Sequence, residues 1–562
     1  MASQVISLDE AAGQTWDLVV VGMGVGGGTF GWAMAQRGQR VLFCERGQLP
    51  LAGPRDPLTG RYPEEGLPGH QAGQDPASRQ ALRRAGRDAD LIMDSSAGRL
   101  RSFLPFIGAG GGGSSALYGM AMERFFPSDF EPGRHHRADE GASLVREWPV
   151  SYGDMAPWYD RAEVLYGVRG TRDALRSPFE AAPQLPEPAA LTPANDWLQQ
   201  QLLSEGLHPY RLPMAGGQAP GCQTCQGTLC PRACKNDSFN RCVLPALQHH
   251  GACAVENCRV LSLTGSSRLA TGVVCEDADG LRRTLRTRAV ALAAGALRTP
   301  ALLLQSASED WPAGLGNGSG LVGRNLMRHY IDLWALKVPE ELQQSLDNRP
   351  KQLAFNDLYC RDGEKLGSVQ SFGRLPPVPM LQAAMRDDVQ FAAGAWAAWG
   401  LLAARPVLQP VLRDIEHRRV LLATTVEDLP RAQNRVHLPP AGAPPGSVGM
   451  HYRLANTERQ RVKRMRIQMA QILRKQSFRL LKQAENNQRI AHACGTCRFG
   501  LSAGDSVLNA HNRLHEVDNV WVLDASFFPS SAGTNPSLTI AANALRVAAS
   551  LAGDPASGPD SI

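Results

Sequence analysis

The chain begins its first structured region with an uninterrupted apolar run, LVVV at residues 18–21, that does not alternate with polar positions. Its length and β-branched content predict a strand buried on both faces, as in a parallel sheet. Glycines 22, 24 and 27 follow in G-x-G-x-x-G spacing. A helix is predicted over residues 29–36, closed by Gly38, and a second strand over 41–43 leads to Glu45. The same grammar returns late. VALAAGA from Val290 reads as a strand ending in small residues, with Thr299-Pro300 starting a helix, and VWVLDAS reads as a strand ending at Asp524. Residues 254–263 and 272–275 alternate like strands of a small sheet joined by a Gly-Ser turn. Residues 331–342 open with strand alternation that enters a second domain. Residues 455–488 predict one long helix, with Val462, Met465, Met469, Ile472 and Leu473 on one face. The run FAAGAWAAWGLLAA at 391–404 predicts a buried helix, with a channel lining or membrane contact as the other readings. Residues 49–79 read as a long surface loop or lid, and Pro-rich loops are expected at 375–379 and 438–446.

The glycines have separate physical jobs. Gly22 permits a tight turn, Gly24 lets backbone approach a pyrophosphate, and Gly27 lets the helix pack on the strand. The helix N-terminus offers N–H groups to phosphate, and Glu45 stands where a carboxylate accepts from a ribose diol. The stretch predicts a dinucleotide site without separating FAD from NAD. A second cluster, FIGAGGGGSSALYGM, places Gly112, Gly113, Ser114 and Ser115 where N–H groups and small hydroxyls suit a cofactor better than a linker.

Bulk properties narrow the field. At 562 residues, more than one domain or one large domain with insertions is expected. A net charge of +6 with 53 acidic residues does not argue for nucleic acid. The start, MASQVISLDEAAGQ, has no basic segment before an apolar run, so a cytoplasmic protein is expected, with export alongside a partner left open. No run reaches the ~18 apolar residues of a spanning helix. Twelve cysteines include a group at Cys222, Cys225, Cys230 and Cys234, with Cys242 nearby.

The chain resembles the glucose–methanol–choline (GMC) family of FAD-dependent oxidoreductases. The resemblance rests on the opening motif, the GGSS segment, WPVSYGDMAPWYDRAEVLYGVRG (148–170), VALAAGALRTPALLLQSA (290–307), LVGRNLMRHY (321–330), and the C-terminal AHACGTCRFG and GTNPSLTIAANALR. It implies an α/β fold, with a discontinuous Rossmann-like FAD-binding domain (1–145, 243–330, 490–562). It also implies an α+β substrate-binding domain with an antiparallel sheet (146–242, 331–489) and a cysteine-rich insertion at 221–242. By the family pattern His492 is the base and Asn535 the partner that orients a substrate hydroxyl, while Gly295, Asp524 and Pro536 lie against the cofactor. The helix that Asn535-Pro536 opens would lie near the flavin pyrimidine. Alcohol oxidation needs a base for the hydroxyl proton, which an imidazole suits, and an amide can hold the oxygen without competing for that proton. Ala116 stands where some relatives carry a flavin-linking His, and Tyr118 where Asn is common, so noncovalent FAD is expected.

The cysteine group resembles the iron–sulfur segment of bacterial FAD-dependent sugar dehydrogenases over Cys225, Cys230 and Cys234. Its own spacing leaves zinc, local disulfides and free thiols open as well. Cys494-x2-Cys497 reads as packing rather than a redox pair. The expected substrate is a small alcohol: a sugar, amino sugar, sterol-like or long-chain compound. The electron acceptor, whether oxygen, a quinone or a redox protein, stays open. A flavin-containing lyase and an iron–sulfur dehydrogenase subunit are the alternative readings.

Overall fold

The computed structural model describes residues 4–552, except 51–56, 66–74, 137–140, 178–179, 181, 217–221, 223, 347–349, 362 and 404. The apolar runs separated most widely in sequence lie side by side. A five-stranded sheet takes the order Val520–Val522, Val290–Leu292, Leu18–Val21, Val41–Cys44, Cys253–Val255, and every pairing is parallel. Val290 pairs with both Val19 and Val520, and Leu18 with Val41. Helices lie against this sheet, so its inner strands lack polar alternation. The C-terminal helix Ser537–Ala552 packs on Val25–Gln36 and on Tyr152–Leu165, where Tyr159 Oη and Thr539 Oγ1 lie 2.8 Å apart. Ser151 and Asp154 cap the latter helix reciprocally.

A six-stranded sheet forms a second layer: Phe478–Leu481, Tyr330–Lys337, Arg419–Val426, Gly367–Ser371, Leu353–Phe355 and Tyr210–Arg211, antiparallel throughout. The helix Asn456–Ile472 covers it, burying Val462, Met465 and Met469 in a core with Trp334, Phe355 and Leu422. A smaller four-stranded sheet contains the hairpin Arg259–Ser266 and Leu269–Glu276.

Several expectations need correction. The helix after the first glycine turn starts at Val25 rather than 29, because its glycines let it begin directly against the strand. The long helix over 455–488 ends at Ile472. Residues 478–481 instead form an edge strand with Leu481 opposite Leu333, where cross-strand pairing outweighs helix propensity. Ala254 and Val255 belong to the parallel sheet, not the small one. The loop expected over 49–79 gives way to a helix at Pro76–Arg84, capped by Asp75, whose Oδ1 accepts from Ser78 N at 2.9 Å; 51–56 and 66–74 lie outside the described residues. The apolar run at 391–404 is not a buried helix. In Ala395–Ala403 the inward position is Ala398, while Trp396 is 92% and Trp399 73% exposed. Among the described residues, no helix is long and apolar enough to cross a membrane.

A buried ion cluster joins the layers. Lys365 Nζ lies 2.6 Å from Asp129 and 3.1 Å from Glu427, all three side chains fully enclosed, and His136 Nε2 lies 2.9 Å from Glu427. Burial would raise the Glu427 carboxyl, but the Lys365 charge and the His136 hydrogen bond hold it well below the usual carboxylate range. Stability from a depressed carboxylate is present above its unfolded pKa and lost as pH falls through the folded value. Lys365→Met should therefore cost about 3 kcal/mol at neutral pH by leaving two buried carboxylates without their cation. The deficit relative to wild type should narrow as pH falls through the usual carboxylate range, as Glu427, no longer held down by the cation, takes up a proton. Urea unfolding at the two pH values checks both.

Candidate active site

The first glycine turn is built by close approach. Gly22 has φ +95°, and a Cβ there would stand 2.6 Å from Ala293 O at the end of the neighbouring strand. A Cβ on Gly27 would press on the Gly22 carbonyl and stand 2.9 Å from Ala293 Cβ. Gly24 differs: its φ is −66°, no side chain caps the helix it starts, and nothing lies within 4 Å of a Cβ built on it. The twelve-residue helix Val25–Gln36 thus presents its first-turn N–H groups beside open space, a cradle that fits an anion.

Glu45 joins this turn to the second glycine cluster. Its buried carboxylate accepts from Met23 N at 3.0 Å, Gly47 N at 3.0 Å and Gly110 N at 2.9 Å. Burial pushes the carboxyl up, and these backbone donors pull against it. Gly112 and Gly113 follow with φ +90° and +51°, and a Cβ on Gly113 would stand 3.0 Å from Gly24 Cα. The two serines diverge. Ser114 is exposed and its Oγ accepts from Gly108 N, whereas Ser115 is buried, donating to Gly112 O and accepting from Ser238 N. Ser115 thus holds the loop's shape. Gly295 has φ +86° with open space where a Cβ would stand, and its N–H donates to Asp524 Oδ2 at 2.9 Å. Asp524 also accepts from Thr299 Oγ1 at 2.5 Å and Ser526 N at 2.8 Å, so it clamps the third βα turn.

His492 adopts φ +56°, a left-handed conformation uncommon outside glycine. Its Nδ1 lies 2.8 Å from His329 Nδ1, with the rings edge to face at 79°. His329 Nε2 lies 3.0 Å from both Ser531 O and Ala532 O. Burial lowers both imidazoles, His492 well below its ordinary value, with the His329 and Lys351 fields adding to the effect. Burial also holds Lys351 down to about 8. Asn535 belongs to the loop that supplies those carbonyls. It is buried, and its Oδ1 has no hydrogen-bond partner among the described residues. Pro536 precedes the helix and its carbonyl accepts from Ile540 N. The loop is pinned elsewhere: Gly533 N donates to Tyr359 Oη, and Asp428 N to Ser531 Oγ. His329 lay inside the LVGRNLMRHY signature, but nothing local marked it out.

The cysteine group is brought to one loop but not to one point. Cys230 and Cys234 Sγ are 3.4 Å apart, and Cys234 and Cys222 4.0 Å. Cys225 interacts with Cys230, whose thiol is held down to about 4. Cys242 is separate, buried beside Thr29 and Tyr166. Lys235 fastens the loop to the second glycine cluster, donating to Ala116 O at 2.8 Å and Cys225 O at 2.6 Å. Among the described residues the thiols whose Sγ atoms all lie within 4.8 Å of one another are instead Cys44, Cys258 and Cys275, in the core of the parallel-sheet half. Cys494 and Cys497 are buried. A cavity of about 200 Å³ opens beside the cysteine loop, lined by Tyr62, Cys225, Gln226, Arg374 and Glu416.

A parallel sheet with three glycine-lined turns, set with a buried histidine pair, has the makings of a dinucleotide-binding α/β oxidoreductase. Residues 100–331 match the N-terminal domain and residues 430–544 the C-terminal domain of the GMC oxidoreductases. The chain belongs to the GMC oxidoreductase family and is an FAD-dependent alcohol oxidoreductase. It is 30% identical to 6'''-hydroxyparomomycin C oxidase of Streptomyces lividus, over 96% of this chain and 92% of that protein. It is 28% identical to paromamine 6'-oxidase of Streptomyces fradiae, with the same coverage. Pyridoxine 4-oxidase from Mesorbium loti superposes with a TM-score of 0.61 at 18% identity, over 96% of this chain and all of that one.

Gly24 offers a clean test of the cradle, since a Cβ there meets no protein atom within 4 Å and needs no strained backbone. Gly24→Leu should cost only about 1 kcal/mol of stability. It should weaken FAD binding by at least about tenfold, by filling the space where backbone approaches the pyrophosphate. Titration of the apoprotein with FAD, alongside thermal melts, measures the two effects separately.

Proposed function

We propose that this protein oxidises a primary or secondary alcohol on a small hydroxylated molecule to a carbonyl, with noncovalent FAD as acceptor. In this reading the parallel sheet is a Rossmann-like FAD domain formed by residues 1–145, 243–330 and 490–562. The antiparallel sheet and its covering helix belong to a substrate domain, 146–242 and 331–489. Gly22, Gly24, Gly27, Glu45, Gly112, Gly113, Ser114, Ser115, Gly295, Asp524 and Pro536 line or shape the FAD site. Ala116 offers no side chain for covalent attachment.

The observation that carries the reading is the pairing of an imidazole kept neutral with an amide left unsatisfied on the adjoining loop. When bound, FAD supplies the hydride acceptor. His492 takes the proton of the substrate hydroxyl. Asn535, whose Oδ1 lacks a partner, orients that hydroxyl. The enclosed setting keeps the imidazole from being protonated by solvent at neutral pH. The oxidases of 6'''-hydroxyparomomycin C and paromamine named above favour a polar, ring-containing alcohol as the substrate.

The cysteine loop is part of the proposal as a metal site held by Cys222, Cys225, Cys230 and Cys234. An iron–sulfur cluster is the first reading and zinc the second. Neighbouring thiols on a loop clamped by Lys235 suit a soft metal. Iron, sulfide and zinc analysis of anaerobically purified protein decides between them, and the absence of all three sinks the site.

Activity is tested by anaerobic mixing with paromamine, pyridoxine, a neutral sugar and a long-chain primary alcohol. Bleaching of the flavin by at least one is expected, and none bleaching it would overturn the reading. His492→Ala should slow that bleaching by about a hundredfold or more while retaining bound flavin. Because the base is needed unprotonated and its pKa is depressed, kcat/KM should stay level down through about pH 6.5 and fall only below it. A pH–rate profile checks the position of that limb.

A further inference from the structure

Among the described residues, the His492 ring makes one side-chain hydrogen bond, to His329. Resting on the reading of His492 as base, we propose that His329 is a positioning residue that fixes the His492 tautomer and so selects Nε2 as its basic atom.

The argument follows the protons. The two oxygens near His329 Nε2, Ser531 O and Ala532 O, are carbonyls and can only accept. Nε2 of His329 therefore carries a hydrogen. His329 is 1% exposed, and burial disfavours a second proton on it despite the fields of Glu427 and Asp129, which Lys365 offsets. Its Nδ1 is thus a lone pair. The 2.8 Å separation between the two Nδ1 atoms requires one proton between them, and only His492 can supply it. His492 is then protonated on Nδ1 and bare on Nε2, the charged neighbour on its side being Lys351. An imidazole's basic nitrogen is set by the bond its other nitrogen makes, and here that bond leaves one choice.

The arrangement also serves the moment after proton transfer. When the substrate O–H bond breaks and its proton moves to Nε2, His492 becomes an imidazolium, bound FAD being what would supply the acceptor for the carbinol hydride. It keeps donating Nδ1–H to His329, a neutral acceptor. That acceptor stabilises the cation less than a carboxylate would, so the proton is readily returned. The carbonyls that orient His329 come from the loop that ends in Asn535, so the tautomer and the hydroxyl-orienting amide are set by one segment.

The test is spectroscopic and needs no substrate. Long-range proton–nitrogen correlation spectra of histidine-labelled holoenzyme near neutral pH should show one ring, absent in His492→Ala, with protonated Nδ1 and bare Nε2. A second ring, absent in His329→Phe, should show the opposite pattern. In His329→Phe the His492 ring should lose its fixed tautomer. In His329→Asn, whose Oδ1 stands where Nδ1 stood, the tautomer should be kept. With any alcohol that bleaches the flavin, His329→Phe should slow reduction by about tenfold or more with half-saturation little changed, and His329→Asn should recover most of it. A wild-type His492 protonated on Nε2, or an unchanged His492 tautomer in His329→Phe, overturns the proposal. If no alcohol bleaches the flavin, the functional reading fails while the wild-type spectrum still decides the tautomer.

Discussion

A carboxylate enclosed by protein is costly unless its oxygens are met by donors, and Glu45 meets three backbone N–H groups from three different turns. This set of bonds is what gives the cofactor half its shape. It stands at the end of the second strand, reaches back to the first glycine turn through Met23, and reaches forward to the second glycine cluster through Gly110. Gly113 is thereby carried so near Gly24 that a Cβ on it would stand 3.0 Å from Gly24 Cα. The cysteine loop then attaches to the same cluster through Lys235 and Ala116. Satisfying one buried acid thus brings into register segments that are more than sixty residues apart in sequence.

The other end of the site is held by charge rather than by backbone alone. Asp129, Lys365, Glu427 and His136 form an enclosed cluster, and Tyr359 links it to the loop before the last helix by donating to Asp129 and accepting from Gly533 N. Asp428 holds the same loop through Ser531. Such bonding keeps Asn535 and the carbonyls facing His329 in place before substrate arrives, which is how a polar site avoids reorganising during reaction. Ion pairs of this kind add little net stability, and their value here lies in geometry.

The division between what sequence reveals and what it hides follows contact range. The strands at 18, 290 and 520 were legible because both faces are covered and the apolar runs are unbroken. The glycine turns were legible because their steric demands are local. Residues 478–481 were misread because Phe478, Leu480 and Leu481 among basic residues extend a helical pattern, while their true partner strand begins at Tyr330. Trp396 and Trp399 were misjudged because composition does not say which side of a short helix meets the core. His329 escaped notice because its importance lies in a bond to a residue 163 positions away. The four loop cysteines were visible as a group, but the three described thiols that all lie within 4.8 Å of one another, Cys44, Cys258 and Cys275, were scattered over more than two hundred residues.

The parallel sheet takes its outermost strand from Val520–Val522 and a covering helix from Ser537–Ala552, near the end of a 562-residue chain. The parallel sheet is therefore completed only when segments about five hundred residues apart in sequence have met. Its earliest strands, fully apolar, wait for partners made hundreds of residues later, a topology of high contact order that folds slowly and is exposed to misassociation.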